Sequence, residues 1–176
     1  MILKGFKEKS NKKYLNKLLS ERQVNVSNGA IKSLGIILNI DEVNDLEIFK
    51  SLAEVLKVRP GKLKIITFSE HIQEDLNSWD ACYHPKDFGW NGAIKNVELQ
   101  SVLSTEFDVL VSYYKKDILE LKLLTALSKG QFKIGILQTD ERLNDLIIKT
   151  SLKQFDLFKA EAFKYLSILN KIDNNE

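Results

Sequence analysis

Four short apolar runs, separated by sequence that includes stretches of helical period, constrain this chain more than any other feature. Leu34-Gly35-Ile36-Ile37-Leu38-Asn39-Ile40 is almost continuously apolar, as in a strand buried on both faces. Leu63-Lys64-Ile65-Ile66-Thr67-Phe68, Phe107-Asp108-Val109-Leu110-Val111-Ser112 and Phe132-Lys133-Ile134-Gly135-Ile136-Leu137 repeat the pattern. Between the first two runs, Leu46, Phe49, Leu52, Ala53 and Leu56 recur at helical spacing, with N-cap chemistry at 41–44 and a Pro60-Gly61 stop. Between the last two, 117–129 reads as a helix with Gly130 as its C-cap. A helix between two apolar strands calls for a parallel pair, because only a crossover of that length returns the chain to the same edge. The expectation is an α/β fold: a three-layer sandwich around a mostly parallel, Rossmann-like sheet of four to six strands, the four runs lying side by side.

The remaining elements follow from weaker patterns. Leu3, Phe6, Tyr14, Leu15, Leu18 and Leu19 put an apolar side on an N-terminal helix, and lysines surround the rest. Residues 1–22 hold Lys4, Lys7, Lys9, Lys12, Lys13, Lys17 and Arg22 against Glu8 and Glu21, seven cations to two anions, in a chain whose net charge is only +2. A basic helix (1–22) on a mildly acidic α/β domain (33–170) is therefore expected. Residues 97–105 read as a short helix, 145–149 as an edge strand, and 152–168 as a closing helix with Phe155, Phe158, Ala162, Phe163 and Leu166 inward. Segment 77–96 interrupts the alternation with an aromatic-rich insertion, and Trp90-Asn91-Gly92-Ala93 marks a tight turn in a small antiparallel ribbon.

Several classes of activity find no support. The turn after the first strand, Asn39-Ile40-Asp41-Glu42, offers carboxylates where a phosphate-binding loop would offer glycine amides, so no nucleotide is expected to be held tightly. No cofactor and no metal is expected: Cys82-x-His84 lacks the further paired ligands of a zinc pattern. With one cysteine no internal disulfide can form, and no apolar run approaches the ~20 residues of a membrane span, so the expected location is the cytoplasm.

Three sets of residues remain as candidates. The lysines Lys9, Lys12, Lys13 and Lys17 could neutralise an acidic protein or RNA partner. Trp79, Tyr83, Phe88 and Trp90 concentrate aromatic surface of the kind that anchors interfaces. At the carboxyl ends of the strands, where open parallel sheets bind ligands, Asn39, Asp41, Ser69, His71, Ser112, Tyr113 and Thr139 could line a pocket.

The stretch from Phe107-Asp108-Val109-Leu110-Val111 through Leu123-Leu124-Thr125-Ala126-Leu127-Ser128-Lys129-Gly130 to Ile134-Gly135-Ile136 resembles a family of short uncharacterised bacterial proteins known only as a domain of unknown function. The basic N-terminal helix and Phe88-Gly89-Trp90 are similar as well. Residues 107–136 alone are similar to the N-terminal Rossmann-like half of heptosyltransferases, which implies the fold and no activity, since the second sugar-nucleotide domain and the glycine-rich turn are missing. The basic helix and the aromatic segment lead to the expectation of a non-catalytic interaction or accessory module that binds a macromolecule through either or both. The alternative is a small-molecule-binding domain or enzyme with its site at the strand ends.

Overall fold

All strands of the sheet run parallel, and their order is the doubly wound one. The computed structural model describes residues 1–24, 28–71, 81–136 and 140–173. Strands β1 (Leu34–Asn39), β2 (Leu63–Phe68), β3 (Cys82–Tyr83), β4 (Glu106–Tyr113), β5 (Lys129–Ile136) and β6 (Leu146–Ile148) lie in the order β3-β2-β1-β4-β5-β6. Each neighbouring pair is parallel, in registers such as Ile36 beside Ile65 and Val111. The two central apolar runs, β2 and β4, are not neighbours of each other, because β1 lies between them. The chain reverses its direction of winding there, which is the topological switch point of such sheets.

Five helices flank the sheet in the described residues: α1 (Ile2–Glu21), α2 (Glu47–Val55), α3 (Val97–Ser104), α4 (Leu119–Leu127) and α5 (Phe155–Ile168). Alternate residues of each strand face opposite layers. Ile36, Leu38, Val109, Val111 and Tyr113 pack with α2 and α5, while Ile37, Ile66, Phe68 and Leu110 pack with α1, α3 and α4. On the first face Tyr113 sits edge-on against Phe49, Phe155 and Phe158 at centroid distances of 5.5, 5.5 and 5.0 Å. Such pairs each add about 0.5–1.5 kcal/mol beyond the area they bury.

Both outer helices on that face end in Schellman motifs. Val58 and Lys57 donate to the carbonyls of Ala53 and Glu54 after α2, and Lys171 and Asn170 to those of Leu166 and Ser167 after α5. The left-handed residue is Lys57 (φ 58°) in the first and Asn170 (φ 54°) in the second.

Local readings are corrected in four places. Gly130 is not a helix cap: α4 ends at Leu127, and Gly130 is the second residue of β5, paired with Phe107. A Cβ there would come within 2.5 Å of Leu110 Cβ, so the glycine allows the strand to approach. Phe163 is more than a third exposed and lies off the buried face of α5, which uses Phe155, Phe158, Ala162 and Leu166. Leu3 and Phe6 are exposed, and the buried side of α1 is made by Asn11, Leu15 and Leu19. The antiparallel ribbon around 90–93 reduces to one bridge, Phe88 to Ile94, closed by the turn between Trp90 O and Ala93 N (3.0 Å).

Candidate functional site

The switch point between β1 and β4 opens at the carboxyl ends of the strands, and the residues after β1 close it. Asn39 is fully buried at the end of β1. Its side-chain oxygen accepts the backbone N–H of Asp41 (3.1 Å), and its amide donates to Glu42 Oε2 (3.3 Å). Glu42 then reaches across the crevice, where its carboxylate accepts the backbone N–H groups of Lys115 (3.3 and 3.2 Å) and Lys116 (3.1 Å) beyond β4. Asp41 turns the other way, accepting from Ser69 Oγ (2.8 Å) and the Glu70 N–H (3.1 Å) beyond β2. The two acidic side chains therefore stitch the end of β1 to the ends of both neighbours. In a dinucleotide-binding fold, free amides at this point receive the pyrophosphate. Here the N–H groups of that turn, from Ile40 to Val43, are taken by oxygens of Asn39 and Phe68, and the turn presents the carboxylates of Asp41 and Glu42 instead.

Ser69, Ser112 and Tyr113 among the other strand-end candidates are committed to structure. Ser69 is fully buried; its single hydroxyl proton is shared between Asp41 Oδ1 and the His71 carbonyl (2.8 and 2.9 Å), so it has no free path to attack a substrate. His71 is exposed and is held through its backbone N–H on Ser69 Oγ (3.0 Å). Ser112 donates to Asn144 Oδ1 (3.0 Å) in the buried end of β4. Tyr113 turns into the aromatic core, its hydroxyl on the Leu152 carbonyl (2.9 Å), and lines no crevice. Thr139 lies outside the described residues.

Part of the aromatic segment is core. Tyr83 and Phe88 are buried under α1 and α3, with Phe88 edge-on to Phe68 at 6.4 Å, so neither presents a face to a partner. Trp79 lies outside the described residues. Trp90 stays about half exposed at the tip of the turn. Cys82 is partly buried and its thiol is pushed up by that burial, away from the reactive thiolate. His84 bonds the Ser69 carbonyl through Nδ1 (3.0 Å). Among the described residues no group of three or more His, Cys, Asp or Glu is placed to hold a metal, and no helix is long and apolar enough to cross a membrane.

The basic helix docks on this segment through polar contacts that the sequence pattern did not reveal. Asn11, 1% exposed, donates to the Gly89 carbonyl (3.0 Å) and accepts the Gly92 N–H (2.9 Å). Ser10 exchanges two hydrogen bonds with Asn91 (2.6 and 2.9 Å), and Lys7 caps the Phe88 carbonyl (2.6 Å). At the far end Arg22 pairs with Asp145 (2.5 Å). Lys9, Lys13 and Lys17 follow one another at four-residue spacing on the outward side. All three are exposed, and none forms an ion pair among the described residues. Ile2 and Phe6 continue the same stripe toward the start of the helix, 77% and 58% exposed. Lys12 sits at its flank, paired with Glu8 at 2.6 Å. The cleft of about 360 Å³ between α1 and α4 balances Lys4, Lys7, Lys12 and Lys122 against Glu8, Glu70, Asp117 and Glu120, and so attracts neither sign strongly.

Closure of the crevice is tested by removing the stitch. Glu42→Ala leaves two exposed backbone N–H groups to water in place of the carboxylate, and an expected loss of about 0.5–1.5 kcal/mol follows. NAD and FAD should leave the backbone amide NMR signals of residues 39–42, 69–70 and 115–116 unchanged. Micromolar binding of either with shifts centred on those amides would show that the crevice is open.

A model of a family of unknown function, DUF6913, matches residues 7–169, a span that includes most of α1 as well as the whole sheet. No curated protein and no solved structure matches the chain.

Proposed function

Because the chain belongs to this family of unknown function, we propose from its own geometry that it is a non-catalytic, cytoplasmic accessory module whose outward α1 face docks on an acidic protein surface. The observation that carries this reading is the stripe on α1: three exposed lysines in line, with no ion pair among the described residues, led by exposed Ile2 and Phe6. Charge at one end and apolar area at the other suit a protein partner better than a phosphate backbone, which offers little apolar surface. Trp90, next to the Asn91 that holds Ser10, supplies an aromatic edge beside the stripe. The strand-end reading loses ground, because Asp41 and Glu42 occupy the positions a ligand would need.

Replacing Lys9, Lys12, Lys13 and Lys17 by glutamine tests it. Exposed lysines of this kind change stability by less than about 0.5 kcal/mol each, so the fold should persist. Partner retention in a pulldown is expected to fall roughly tenfold or more, and parent binding to weaken as salt rises. Loss of the partner on nuclease treatment would identify RNA in place of protein. Full retention by the quadruple variant would make the helix a solvated face only.

A further inference from the structure

At the opposite end of the sheet, the amino ends of β1 and β2 border a cleft of about 560 Å³. Its rim carries Lys32, Lys57, Arg59 and Lys62, all exposed, and its floor is the nearly buried pair Ile31 and Leu56. We propose that this cleft is a binding site for a phosphate anion carrying two or more negative charges.

Charge balance supports the assignment. None of the four cations forms an ion pair among the described residues. Lys57 Nζ bonds the backbone carbonyl of Asp173 (2.8 Å), which leaves its charge uncancelled. Among the described residues the lining holds one carboxylate, Asp173, with the carboxyl end of α2 beside it at Leu56 adding about half a charge, and the Asp108 carboxylate lies behind Lys32, taken up by the N–H groups of Lys32 and Ser33. Among the described residues the four positive charges therefore exceed the negative ones by about two, and a divalent anion would restore the balance. The volume is in the range of small-ligand pockets, roughly 300–1,000 Å³, and its concavity favours a compact anion over a duplex.

The backbone points the same way. Lys57 takes the left-handed position of the α2 Schellman motif, where glycine or asparagine is usual and α5 uses Asn170. A lysine there costs strain, and residues held in such conformations concentrate at ligand sites. Its place at the cleft rim gives that strain a use. The guanidinium of Arg59 adds the fork that phosphate oxygens accept in pairs.

The test is calorimetric titration of the full chain with pyrophosphate, ADP and inorganic phosphate, repeated on Arg59→Gln/Lys62→Gln and on the charge-matched Lys9→Gln/Lys13→Gln. Saturable pyrophosphate binding is expected, weaker for inorganic phosphate. It should fall about tenfold or more in the Arg59/Lys62 variant and stay unchanged in the Lys9/Lys13 variant. Amide shifts in NMR spectra should centre on 30–32 and 56–62. Tighter binding of ADP than of pyrophosphate would identify an organic carrier resting on Ile31 and Leu56, and equal binding a bare phosphate; both fit the site. No saturable binding of either compound, or an equal loss in the two double variants, overturns the proposal. The titration uses no macromolecular partner, so its outcome is separate from that of the docking reading.

Discussion

Gly92→Ala should destabilise the protein by about 2–4 kcal/mol, a large share of the stability of a domain this size. Two causes add. Gly92 has φ +71°, a left-handed conformation that an alanine adopts only with strain. A Cβ at this position would also lie 2.1 Å from Tyr14 Cδ1, inside the ring that α1 packs onto the turn. Shortening Tyr14 to serine should therefore recover part of the Gly92→Ala loss, since it removes the clash and leaves the backbone strain. Asn11→Leu acts on the same joint by stranding the Gly92 N–H and the Gly89 carbonyl, at about 1–3 kcal/mol for each buried group. The Asn11 and Gly92 changes should be non-additive in urea unfolding, because both loosen α1 from residues 88–92. Strict additivity, or a Gly92→Ala loss below about 0.5 kcal/mol, would mean that α1 does not rest on this turn.

The second large effect is a stability that rises with pH. Lys133 is 4% exposed on β5, and its ammonium donates to the Thr125 carbonyl near the end of α4 (2.6 Å). Burial first, and the nearby Arg22 second, push its pKa down from 10.5 to about 8. The unfolded chain therefore holds this proton more tightly than the folded one. Below about pH 8 both states are protonated and the full cost of the buried charge is present. Between about 8 and 10.5 the folded lysine is neutral while the unfolded one is still charged, so stability increases across that window. The gain is of order 3 kcal/mol. Tyr83 and Tyr113, pushed up by burial to about 12, work in the opposite direction once the pH passes their unfolded value of 10.0. The comparison is consequently made as parent minus Lys133→Met by denaturant unfolding at successive pH values. The difference should rise from pH 7.5 to 10. A flat difference curve would show that the ammonium is solvated.

The fold was legible because its signal is repeated. Each buried parallel strand must be apolar on both faces, and β1, β2, β4 and β5 announce themselves independently. The edge strand β3 was hidden, since two residues, Cys82 and Tyr83, carry no period. Asn91-Gly92 declared its turn, with positive φ at both residues. What the turn is for could not be read, because Asn11 looks like one more polar residue on a basic helix.

The acidic turn after β1 was visible as a missing phosphate loop, and the cross-strand use of Asp41 and Glu42 is a tertiary fact that only geometry reveals. The aromatic cluster misled for a related reason: composition does not distinguish Phe88 under α1 from Trp90 at the tip. The amino-end cations were obscured by arithmetic. Lys57, Arg59 and Lys62 share the connection between α2 and β2 while Lys32 precedes β1, in a region whose summed charge is mildly negative, and the sum conceals their convergence.

A photo-crosslinking residue placed at Lys13, and separately at Glu70 beside the closed crevice, tests the docking face most directly. The expected result is a nuclease-resistant adduct with an acidic protein from position 13, diminished as salt rises and absent from position 70. Adducts formed from position 70 and not from position 13 would contradict it, and would return the working surface to the carboxyl ends of the strands.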